Sequence, residues 1–176
     1  MKHVMTHPDY CVAFLQPGRL VHIKHQNHDF GWGAIVNCNK RRPSKNPPEQ
    51  FPPHQEYVVD VLLRIAKGPE VGTKTPHDLP PGVEPPAADE EHRMEVVPVT
   101  LNCIQALAHI RIFLPKDVKS TDAKKGVDKS ITEVQKRFPD GLSVLDPIEN
   151  MGIKDDSFKK TLRVRALAFR STYWEC

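Results

Sequence analysis

The chain has 176 residues, 39% of them hydrophobic, with 25 basic against 22 acidic side chains and a formal net charge of +3. That length suits one domain with a sizeable core, and so even a charge balance does not by itself identify nucleic-acid binding. Cys11, Cys38, Cys103 and Cys176 lack paired spacing, which argues against a disulfide scaffold or zinc knuckle, and no apolar run approaches the roughly 20 residues of a membrane span. A soluble intracellular segment with reduced thiols is expected, and its polar start and helical close suggest a piece of a longer protein.

Residues 1–14 form a mixed lead-in in which Pro8 interrupts any long helix. From Phe14 to Asn37 the pattern is that of a β-hairpin. Pro17-Gly18 makes a turn, and Leu20, Val21 and Ile23 stand among the polar Arg19, His22 and Lys24. Asp29-Phe30-Gly31-Trp32-Gly33 is expected to reverse the chain in a wide loop before Ala34-Ile35-Val36. Its glycines would take φ > 0 or allow close backbone approach around Trp32. Prolines 43, 47, 48, 52 and 53 then predict an extended, mobile loop.

Tyr57–Ile65 is the strongest strand by β-branched density, and its nearly continuous apolar character predicts burial on both faces. Residues 67–93 form a second irregular excursion, expected to be disordered in part. Met94–Val99 resumes a strand, where Pro98 favours a sheet edge or a strand end. A helical turn is predicted within Asn102–Leu107, followed by a strand over His109–Leu114. From Asp122, a candidate N-cap, the period changes: Val127, Ile131, Val134 and Phe138 make one helical stripe, stopped at Pro139. A linker leads to a last helix from about Asp155, apolar on one face and basic on the other through Lys159, Lys160, Arg163, Arg165 and Arg170. Such a face is more often solvated than bound to RNA.

No catalytic, metal or cofactor site is expected. Gly68–Thr75 imitates a P-loop, but its glycines are too close and no helix follows. Asp89-Glu90-Glu91-His92 lies in an acidic loop without the strand that would aim Asp89 at magnesium. The histidines have no cysteine at ligand spacing, and no local context activates a thiol. What remains is recognition. Arg19 and Arg111 sit on predicted strands, where a guanidinium can clamp a carboxylate or phosphate bidentately. Asp60 within an apolar strand needs a partner or a solvent-facing slot. Trp32 is either core or a stacking platform, and Lys40, Arg41, Arg42 and Lys45, with Lys24, are the candidate phosphate contacts.

The hairpin resembles a KOW motif. FLQPGRLV and DFGWGAIVN, followed in order by YVVDVLLR, VVPV, IRIFLPKD and VQKRFPDGLSVLDPIENMGI, resemble the arch, or fist, domain of the DExH-box RNA helicase that accompanies the nuclear RNA exosome and the TRAMP polyadenylation complex. The resemblance implies a mainly β fold: a KOW/SH3-like barrel over 15–145, with irregular loops at 40–56 and 67–93. Residues 1–14 would end an incoming stalk, and 146–176 would be a linker and the start of a returning stalk helix.

It further implies a non-catalytic module, and a monomer is expected. The parent would be an ATP-dependent RNA helicase of the nucleus, including the nucleolus. The module would capture arch-interacting peptides of ribosome-processing and RNA-decay adaptors, and would contact structured RNA weakly and salt-sensitively. Those peptides carry a leucine-aromatic pair and a downstream aspartate. Arg19 and Arg111 would receive the aspartate, Asp60 would lie on a strand between them, and Ile110 would meet the apolar part. The alternative is a general KOW-type RNA-binding domain of translation or transcription without a peptide role.

Overall fold

The structure is a computed structural model, and it describes residues 5–43, 50–73, 78–154 and 156. The lead-in is a single-turn helix, α1 (Pro8–Cys11), with Pro8 in its first turn, followed by a 3-10 turn over Val12–Phe14. It delivers Cys11 and Leu15 into the core.

Strands β1 (Arg19–His25) and β2 (His28–Lys40) form the hairpin, but the reversal is made by Gln26 and Asn27, with Gln26 at φ 53°. The expected wide loop at Asp29–Gly33 is instead part of β2. Register runs Ile23 to Gly31 and then Lys24 to Asp29, so Phe30 is the extra residue of a β-bulge. Gly31 takes φ +68°, and the Asp29 carboxylate accepts from its N–H at 2.8 Å. Gly33 serves close approach: a Cβ there would lie 2.6 Å from the Leu62 carbonyl oxygen and 2.5 Å from Leu63 Cδ2. Gly33→Ala is therefore expected to destabilise the fold by about 2 kcal/mol, the ordinary cost of overpacking, read by urea unfolding. An unchanged midpoint would mean that β3 yields freely.

β3 (Tyr57–Ala66), β4 (His92–Thr100) and β5 (Ile104–Arg111) complete an antiparallel sheet of order β4-β3-β2-β1-β5. The two outermost strands are joined only by the 3-10 turn Leu101–Cys103, so the sheet must curl until the end of β4 meets the start of β5. That curl makes the barrel. β4 lies at the sheet edge, as Pro98 predicts, whereas β5 begins five residues before the expected His109 and ends at Arg111. Ser143–Leu145 borders β5 through His109 N–H to Ser143 O at 2.9 Å and Leu145 N–H to Leu107 O at 2.7 Å.

β3 is buried on both faces. Val59, Val61, Leu63 and Ile65 point into the barrel with Val21, Ile23, Ile35, Val97 and Val99. Leu62 joins Leu20, Ala34 and Ala108 on the outer face, covered by Val127 and Ile131 of α2 (Thr121–Arg137). Ser120, rather than Asp122, caps this helix, its Oγ accepting from Ala123 N–H at 3.2 Å. Because the helix ends at Arg137, Phe138 leaves the stripe and is 45% exposed. An Arg64–Asp128 ion pair ties α2 to β3, and Thr132 Oγ1 accepts from Arg64 at 2.6 Å.

Part of the 67–93 excursion is firmly held. Asp78 accepts from Thr100 Oγ1 at 2.9 Å and Asn102 Nδ2 at 3.3 Å, and Val83 is buried in the barrel core. The segment thus closes over the β4–β5 corner. The predicted last helix, with its basic face, lies outside the described residues apart from Asp156.

Candidate recognition site

Arg19 and Arg111 stand opposite each other across β1 and β5. The Ile112 N–H donates to Gly18 O at 2.8 Å, which fixes this rim of the barrel. Arg19 is only 8% exposed. Its Nε donates to Phe14 O at 2.6 Å, Nη1 to Ala108 O at 2.9 Å and Nη2 to Gln16 Oε1 at 3.2 Å. Burial first, and then the charge of Arg111, pull its guanidinium below the ordinary range. Arg111 is exposed, with Nη2 donating to Pro17 O at 3.0 Å. All these acceptors are neutral, and among the described residues neither arginine has a carboxylate in ion-pair range. The result is two adjacent positive groups, one structural and one presented to solvent. Phe113, two residues on, is 87% exposed.

The other two residues of the expected peptide site lie elsewhere on the sheet. β1 and β5 are direct neighbours, so β3 does not run between them; β2 separates β3 from β1. Asp60 alternates with the inward Val59 and Val61 and so faces outward like Leu62, whereas Arg19 alternates with the outward Leu20. Ile110 also packs against the outer cluster, as Ile112 and Trp32 do. The arginines therefore share one rim, and Asp60 and Ile110 share the outer face.

Asp60 borders a cavity of about 390 Å³ with Asn37, Val96, Pro98, Lys119 and Lys124. Burial pushes its carboxyl up from the ordinary value of 3.8. A folded-state pKa above the unfolded one means that its contribution to stability is full below pH 3.8 and is lost as pH rises through the folded value. Asp60→Asn should accordingly melt a few degrees higher than the natural protein at pH 7, with the gap closing in acid. Equal melting temperatures at both pH values would show that the carboxylate carries no penalty.

Trp32 is half-buried against the outer cluster and lies 5.4 Å from the His22 ring, centroid to centroid. Lys24 stands near the hairpin tip, while Lys40, Arg41 and Arg42 leave the far end of β2, so the structure does not bring these cations together. Lys45 lies outside the described residues. Burial pushes the Cys11 thiol to about 12 and Cys38 to about 11, leaving both protonated at neutral pH. Phe51 and Tyr57, which no sequence motif singled out, meet the basic run: Arg41 lies 5.0 Å from the Phe51 ring centroid and Lys40 Nζ 5.7 Å from that of Tyr57. The signal was an aromatic on either side of the second proline pair.

A curled five-stranded antiparallel sheet with one amphipathic helix packed on its outer face defines a β-barrel domain. Residues 7–168 match the family described as Mtr4-like, beta-barrel domain, and the chain belongs to that family. It is 44% identical over 156 residues to the exosome RNA helicase MTR4 of Homo sapiens, covering 89% of this chain and 14% of that protein. Against the ATP-dependent RNA helicase mtr4 of Schizosaccharomyces pombe it is 42% identical over 165 residues, with 93% and 14% covered. The DExH-box ATP-dependent RNA helicase DExH10 of Arabidopsis thaliana is 36% identical over 149 residues, with 84% and 14% covered. The chain thus spans 14% of the length of each of these relatives.

Proposed function

We infer that this domain is the non-catalytic recognition module of a nuclear, exosome-associated ATP-dependent RNA helicase. It docks short adaptor peptides through an aspartate received at Arg111 and contacts structured RNA through its basic surface. The observation that carries the peptide reading is the Arg19–Arg111 pair, two cations side by side with no carboxylate in range among the described residues. An incoming aspartate would relieve that repulsion and form a charge-assisted pair with the exposed guanidinium. Arg19 holds the rim through carbonyl oxygens and adds positive potential, and Phe113 offers apolar surface beside it. Asp60 and Ile110 would bear on a different stretch of the peptide, on the outer face.

The decisive experiment is a calorimetric titration with an arch-interacting peptide and with the same peptide carrying alanine for its aspartate. Binding lost in the alanine peptide supports adaptor docking. Failure of both peptides to bind would favour the second reading, a KOW-type RNA-binding domain alone. RNA affinity is expected to be weak and to fall steeply between about 50 and 200 mM salt, as counterion release requires. A flat salt dependence would remove phosphate contacts as its basis.

A further inference from the structure

We propose that the neck of the Pro-rich loop is a stacking site for an unpaired RNA base. Arg41 and Phe51 form the platform, and Lys40 and Arg42 lie against the flanking phosphates. This rests on the RNA-contact half of the function proposed above and gives it a place and a substrate class. The neck is rigid. Lys40 at the end of β2 is paired with Tyr57 at the start of β3, and Arg41 N–H donates to Glu56 O at 2.7 Å. Opposite, Gln55 N–H donates to Pro52 O at 2.8 Å in the 3-10 turn Pro53–Gln55, so two consecutive prolines hold the chain just after Phe51.

Between these walls is an open cleft of about 350 Å³ lined by Lys40, Arg41, Pro43, Gln50, Phe51 and Glu56. Phe51 is half-buried, and the Arg41 guanidinium lies 5.0 Å from its ring centroid. A guanidinium supported by a ring presents a flat cationic surface, which suits a nucleobase face whatever the base. Lys40 and Arg41 line the cleft and the exposed Arg42 follows them in the chain; among the described lining residues the one carboxylate is Glu56, 3.8 Å from Lys40 Nζ. A base inside a duplex is already stacked, so a helix would gain only the phosphate contacts here.

The test is fluorescence anisotropy of this chain with a labelled single-stranded oligouridylate and with a blunt RNA duplex of equal length. Phe51→Ala is expected to weaken the single strand about tenfold, with little effect on the duplex and an unchanged salt slope. Phe51→Trp should bind like the natural chain and show fluorescence quenching beyond that of the natural tryptophans. Arg42→Ala should weaken both RNAs and flatten the salt slope. Equal single-strand affinity in Phe51→Ala, with its melting temperature retained, would overturn the proposal. If Arg42→Ala still weakens RNA in that case, the phosphate-contact reading survives and only the stacking site falls. No RNA binding by the natural chain would sink both. Loss of adaptor-peptide binding in Phe51→Ala, with RNA affinity intact, would overturn it in favour of a protein site.

Discussion

Arg111→Glu is expected to cost about 3 kcal/mol of adaptor-peptide binding, on the order of a hundredfold in Kd, while leaving the melting temperature nearly unchanged. The two halves of that expectation come from the same geometry. Arg111 is exposed and donates one hydrogen bond to Pro17 O, so little of the fold depends on it. A glutamate there would remove the aspartate's partner and place a like charge against it. Calorimetry on the variant decides the matter: affinity within twofold of the natural chain would take Arg111 out of the site. A variant that lost binding together with its melting transition would count as misfolded and would need Arg111→Gln in its place.

Arg19→Met is expected to do the reverse, lowering stability by about 3 kcal/mol. The guanidinium ties the Phe14 carbonyl in the lead-in to the Ala108 carbonyl of β5, and its removal leaves two acceptors without their donor. Methionine retains much of the buried stem, so the loss would report the hydrogen bonds more than the packing. Equilibrium urea unfolding gives the measurement, and peptide affinity at a temperature where the variant is folded gives the control. An unchanged unfolding midpoint would mean that water or nearby N–H groups replace the guanidinium. In that case the buried position would carry no structural role, and Arg19 would return to the peptide site as a direct contact.

Strand content was legible wherever the alternation of apolar residues was strong. Tyr57–Ile65 reads as a strand buried on both faces because its Val and Leu residues occupy both parities, and the barrel core and α2 cover those two faces. The helix stripe through Val127, Ile131 and Val134 was equally plain. The boundaries were harder. Asp29–Gly33 reads as a turn because glycine and aspartate mark turns locally, yet Gln26 and Asn27 suffice for the reversal, and the glycines accommodate a bulge and the close passage of β3.

Sequence by itself determined the strand-rich composition, the amphipathic helix and the strand positions of Arg19 and Arg111, because periodicity and residue chemistry are local properties. Tertiary structure decided where those arginines lie and how far each is buried. The pairing of β1 with β5 set them side by side and buried one against backbone carbonyls, while leaving the other in solvent. It also put Asp60 on the outer face, and it brought Phe51 back over Arg41 across a proline-rich loop. Strand order and loop closure involve residues far apart in the chain, and no local pattern encodes which of them will meet.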